Sequence, residues 1–170
     1  MNRFLISFLL LILVSCTKNN KIMTHKIEFP ESLELYSFDY QNSFAGLNSN
    51  LKILASYDSI MCGPCSIKRL IAWREMIEYA EKTNDLSIIF VFSPSKKDHV
   101  EMISMIKNNP VDYPLYYDIN NEFGHLNSLP VGLFVCLLDR NDSIILSGSP
   151  FVPEVWNQYK KTIENYIDHN

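Results

Sequence analysis

Apolar residues recur along the chain in two rhythms. Short, nearly unbroken runs at residues 52–57 (KILASY), Leu86–Phe92 (LSIIFVF) and Leu133–Leu138 (LFVCLL) have the length and residue types of buried strands. Spacings of three and four mark helices instead. Ile67, Leu70, Ile71, Trp73, Ile77 and Ala80 form one stripe, with Lys68, Arg69, Glu75, Glu78 and Glu81 on the other faces. Val100, Met102, Ile103 and Ile106 predict a second helix, closed by Asn108, Asn109 and Pro110. Residues 153–167 predict a third, entered through Pro153. Residues 113–118 read as a short edge strand, and residues 143–146 pair back on Leu133–Leu138 across the polar turn 139–142. Leu33, Leu35 and Tyr36 suggest one more strand near the N-terminus. A strand, helix, strand unit implies a parallel pair with a right-handed crossover, and the hairpin adds antiparallel strands. The pattern therefore predicts an α/β fold in three layers, with a mixed central sheet and helices on both faces.

Composition narrows this to one domain with a modest appendage: 170 residues, 47% apolar, 20% charged, with only 5 Gly and 8 Pro, so neither a low-complexity chain nor two full domains fit. Fifteen basic against nineteen acidic residues give a net charge of -4. No dense Lys/Arg block is present, so no nucleic-acid partner is expected.

The first residues point to a compartment. Arg3 precedes a run of about 11 mostly apolar residues (4–14), well short of the roughly 20 that a membrane-spanning helix needs and suited to the core of a signal peptide. Leu13, Val14, Ser15 and Cys16 resemble the bacterial lipobox. That resemblance implies cleavage before Cys16 and acyl chains on it, each buried methylene contributing about 0.8 kcal/mol of membrane affinity. The expected division is a signal peptide at 1–15, a lipid-anchored tether at 16–30 and the folded domain at 31–170. Lipoprotein sorting retains an Asp after the lipidated Cys at the inner membrane. Thr17 stands there, which favours the periplasmic side of the outer membrane.

With Cys16 assigned to lipid, three cysteines remain, too few and too odd for a disulfide framework. Cys136, inside an apolar run, reads as a small buried hydrophobe. Cys62-Gly63-Pro64-Cys65 lies between the strand at 52–57 and the helix beyond, and Pro64 is tolerated on a first turn, where its missing N–H has no helical acceptor. The same pair is also half of a zinc site. Structural zinc needs four ligands, and the remaining candidates, His25, His99, His125, His169 and Cys136, show no paired spacing. No metal or cofactor is expected.

On Cys62-Gly63-Pro64-Cys65, on the order of elements and on Pro130 ahead of a late strand, residues 45–167 resemble thioredoxin-fold proteins, and more narrowly the membrane-anchored thiol-disulfide oxidoreductases of the TlpA/ResA kind. Three positions depart from that pattern. Met61 replaces the usual Trp before the first Cys, and Ser56 replaces a buried acid. Pro130 lies nine residues before Asp139 where the family's cis-proline lies about six before, so either Pro130 or Leu133 holds that place. The resemblance implies a dithiol that exchanges with protein disulfides. Cys62 is the expected nucleophile, its pKa lowered by the helix N-terminus, and Cys65 the resolving thiol. Cys65 is expected to lie deeper and to need a base, which Asp58 offers if it does not simply end the strand and cap the helix. The Gly63-Pro64 dipeptide implies a reductant, since thioredoxin lies at about -270 mV and DsbA at about -120 mV. A reductant in an oxidising envelope requires a membrane thiol electron donor. The competing reading is a lipoprotein that uses the same fold only for binding. His125 reads as a surface histidine.

Overall fold

The computed structural model describes residues 25–35, 46–108 and 113–168. The expected signal peptide, Cys16, Thr17, Tyr36, Asn109, Pro110 and His169 lie outside them.

In chain order the elements are β1 (Glu34–Leu35), β2 (Leu51–Tyr57), α1 (Gly63–Lys68), a 3-10 turn (Arg69–Trp73), α2 (Arg74–Glu81), β3 (Leu86–Phe92), α3 (His99–Asn108), β4 (Leu115–Tyr117), α4 (Glu122–Leu126), β5 (Leu133–Leu138), β6 (Ile144–Ser147) and α5 (Pro153–Asp168). They build one six-stranded sheet of order β1-β4-β3-β2-β5-β6. β2, β3 and β4 run parallel, while β1, β5 and β6 are antiparallel to their neighbours. The fold is the mixed α/β sandwich that the pattern predicts.

Layering follows from topology. The crossovers from β2 to β3 and from β3 to β4 step the same way across the sheet, so right-handed connections place both on one face. The core confirms it. Ile53, Ala55 and Tyr57 of β2 pack with Ile67, Leu70, Trp73 and Met76, with Met102 and Ile106 of α3, and with Trp156, Tyr159 and Ile163 of α5. The alternate residues, Leu54 with Ile89, Val91, Cys136 and Leu138, face the second layer, where Phe123 of α4 and Ile27 cover them. β2 sits at the centre with all seven residues buried. Lys52 is accommodated there because its ammonium reaches Asp142 at 2.9 Å and the Ser49 carbonyl at 3.2 Å.

Four expectations change. The single long helix is broken by the 3-10 turn at Arg69–Trp73. A three-residue turn keeps positions three apart on one line, so Ile67, Leu70, Trp73 and Met76 are all buried, whereas Ile71, assigned to the stripe at helical period, is 65% exposed. The strand at 115–117 is not an edge, because β1 pairs outside it. α4 is an addition: Asp118, buried, accepts the backbone N–H of Glu122 at 3.0 Å and of Phe123 at 2.9 Å and so starts a helix too short for periodicity to reveal. Finally, the last residues of the expected tether belong to the packed body. Lys26 bridges Ser143, Ile27 is buried, and the Asn127 side chain bonds both the N–H and the carbonyl of Glu28.

Candidate active site

β2 ends at Tyr57, and a tight turn follows in which the Met61 N–H donates to the Asp58 carbonyl at 2.9 Å. The Asp58 N–H donates to the Gly132 carbonyl at 3.1 Å, which ties this turn to the segment before β5. Cys62 then caps α1 in extended conformation, φ -63° and ψ 105°. Gly63 and Pro64 occupy the first turn, both buried, and the Ser66 N–H closes the first helical bond to the Cys62 carbonyl at 2.9 Å. Gly63 is required by packing: a Cβ there would meet the Met102 sulfur at 2.9 Å and Pro94 at 3.4 Å, so its absence lets α1 close onto α3.

Cys62 and Cys65 are joined as a disulfide with Cα atoms 5.2 Å apart. The Cys65 N–H points at the Cys62 sulfur, 3.3 Å away. A helix N-terminus leaves such donors without backbone acceptors, so this N–H favours negative charge on Cys62 once the bond is opened. Both cysteines are exposed. This differs from the expectation that Cys65 lies deeper: Gly63 and Pro64 turn inward between the two cysteines, and Cys65 faces outward together with Cys62.

The neighbours sort as follows. Asp58 uses its carboxylate on the turn itself, accepting from the Ser59 hydroxyl at 2.9 Å and the Ile60 N–H at 3.1 Å, the strand-ending role rather than that of a base. Ser56 is buried in the sheet, opposite Val91 and Phe134. Pro130 is exposed and follows a trans peptide. Leu133, the alternative, stands opposite Tyr57 at the start of β5 and lines the groove beside the disulfide. A loop turned by Gly132 at φ +103° separates Pro130 from the start of the strand. His125 is exposed, as expected.

The groove was not foreseen. About 300 Å³ of space opens between Met61, which precedes Cys62, and Ser66, which follows Cys65. Tyr57, Trp73, Leu133 and Phe151 line it, with Arg69 contributing its only charge. The Trp73 indole N–H donates to the Tyr57 hydroxyl at 2.9 Å, Tyr57 stacks on Phe92 at 4.5 Å, and Phe151 meets Trp73 edge-on at 5.2 Å. Burial raises the Tyr57 pKa, opposed by the Trp73 bond and the Arg69 charge. These residues come from four separate segments, and no local pattern marks them. Cys136 is buried on the other face of the sheet, where burial pushes its thiol pKa up, so it takes no part here. Among the described residues no three His, Cys, Asp or Glu side chains come together as a metal site would need.

No protein-family profile matches the sequence, and no curated protein matches it. Solved structures do match. One is described as a thiol-disulfide oxidoreductase from Bacteroides vulgatus, 18% identical, covering 84% of this chain and 94% of that one at a TM-score of 0.56. A second is described as a protein disulfide isomerase from Bacteroides thetaiotaomicron, 14% identical over 83% of this chain and 87% of that one, TM-score 0.53. A third is described as a thiol:disulfide interchange protein, DsbE, from Chlorobium tepidum, 16% identical over 69% and 82%, TM-score 0.51. This chain therefore has a thioredoxin-like fold, with a Cys62–Cys65 disulfide at the start of its first helix.

Proposed function

We propose that this protein is a thiol-disulfide oxidoreductase that reduces disulfides in other proteins. The observation that carries this reading is the exposed Cys62–Cys65 bond, with one sulfur facing a free helix N–H and an apolar groove alongside. In the reduced form, Cys62 as thiolate attacks one sulfur of a substrate cystine. That S–S bond breaks, the substrate's other sulfur leaves as thiolate, and a mixed disulfide remains on Cys62. Cys65 gives its proton to water and attacks the Cys62 sulfur, which expels the second substrate thiolate and closes the Cys62–Cys65 bond. The protein loses two electrons and the substrate gains them. A membrane-bound dithiol donor restores the reduced form. The Gly63-Pro64 pair favours a reducing potential, and a value above about -170 mV in glutathione buffers would contradict that direction.

Insulin reduction with dithiothreitol tests the exchange: the wild type should accelerate it and Cys62→Ser should not. Cys65→Ser should accumulate a mixed disulfide with its substrates that dithiothreitol releases. Equal rates for wild type and Cys62→Ser would leave only a binding role.

The proposed setting is the bacterial envelope, with the domain held at the periplasmic face of the outer membrane by acyl chains on Cys16. Leu13-Val14-Ser15-Cys16 supports this reading, and among the described residues no helix is long and apolar enough to cross a membrane. Palmitate should label the wild type and not Cys16→Ser, and absence of label from the wild type would refute the anchor.

A further inference from the structure

Resting on the exchange reading, we propose that the groove beside the disulfide selects the partner: it takes an extended polypeptide segment with a bulky apolar side chain next to the reacting cysteine and an Asp or Glu within reach of Arg69. The groove is lined by the residue before Cys62 and the residue after Cys65, which puts it within reach of a polypeptide bonded to either sulfur. Its volume of about 300 Å³ is at the lower end for ligand pockets, about ten waters' worth, and it is open on one side. That suits one side chain of a longer chain better than a free cofactor.

The lining sets the chemistry of the occupant. Tyr57 and Trp73, both buried, have already joined their polar atoms to each other and form the floor, and Phe151, edge-on against Trp73 and 43% exposed, offers ring surface to whatever enters. Arg69 is exposed, has no ion-pair partner among the described residues, and no carboxylate lines the groove beside it. In a chain of net charge -4 this is a local positive site next to apolar surface, complementary to an acidic residue beside an apolar one. The surroundings extend the apolar footprint. Ile60 is 69% and Val131 71% exposed, on the two segments tied together by the Asp58–Gly132 bond, and Phe151 is exposed at the far wall. Exposed apolar side chains on the segments that flank a reactive bond are what a partner covers.

The test uses the reduced full-length protein in detergent and short cystine peptides whose residues flanking the cysteine are Leu-Glu, Leu-Lys or Ala-Glu, with hydroxyethyl disulfide as a small neutral control. Rate constants for Leu-Glu should exceed those for Ala-Glu by about threefold or more, the return from half-burying a leucine side chain. Glu should be preferred to Lys by about two- to fivefold, as for an exposed ion pair. Arg69→Glu should invert the Glu-to-Lys ratio, and Phe151→Ala should reduce the Leu-to-Ala ratio. Because each readout is a ratio within one protein, a general loss of rate does not imitate it. Equal wild-type rates for all peptides overturn the groove proposal while reduction of hydroxyethyl disulfide leaves the exchange reading standing. Failure to reduce even that control overturns both. A dimer at working concentration that protects Phe151 from the peptides would show a second copy as the occupant and also overturn it.

Discussion

Cys65 shares solvent with Cys62, and that exposure changes what the neighbouring residues are required to do. On the exchange reading, a thiol that meets water can lose its proton there, so the buried acid expected six residues before Cys62 is dispensable. Ser56 fits its place in the sheet, where an ionised carboxyl would carry a desolvation cost of several kcal/mol. Asp58, the substitute candidate, spends its carboxylate on the turn. The Tyr57–Trp73 pair is the residue-scale feature with the clearest energetic consequence. Both side chains are buried, and Tyr57→Phe leaves the Trp73 N–H without its acceptor. An orphaned buried donor costs about 1–3 kcal/mol, so the urea midpoint of Tyr57→Phe should fall accordingly. A change below about 0.5 kcal/mol would mean that water replaces the hydroxyl.

At the scale of elements, β3 and β5 are legible to the residue because each is an apolar run bounded by polar turns, and α5 because Trp156, Tyr159 and Ile163 repeat at helical spacing. What local pattern misses is set by packing across the sheet. Residues 67–76 carry apolar side chains compatible with either a 3.6 or a 3.0 period, and the flat surface of Phe90 under Trp73, edge-on at 5.1 Å, is part of the packing that goes with the tighter turn. α4 exists because Asp118, delivered by the end of β4, supplies acceptors that five residues do not announce. Proline before a strand is a local signal, while the place beside the groove is decided by register. Leu133 stands opposite Tyr57, and the loop before β5 holds Pro130 out in solvent.

At the scale of the molecule, one sheet separates two cores that both hold ionisable groups in neutral form. Burial raises the pKa of Cys136, Tyr57 and Tyr159, and that of Tyr116 to about 12. The sign follows from linkage. Each group binds its proton more tightly folded than unfolded, so its contribution is full below the unfolded pKa and is lost as pH rises toward the folded one. Because an unfolded thiol titrates first, stability of the oxidised protein should begin to fall near pH 9, and tyrosines should steepen the loss from about pH 10. Urea midpoints between pH 7 and 11 will show this, with Cys136→Ala delaying the onset to about pH 10. A flat profile to pH 11 would contradict it.

Apolar runs and the spacing of Cys62 and Cys65 were enough to determine the fold class, the central strands and the place of the cysteine pair, because buried strands and a two-cysteine first turn are local chemistry. The tertiary structure alone decided the exposure of both cysteines, the place of Leu133, and a groove assembled from β2, α1 with its 3-10 turn, β5 and the loop before α5. Those depend on which distant segments meet, and no periodicity along the chain encodes that meeting.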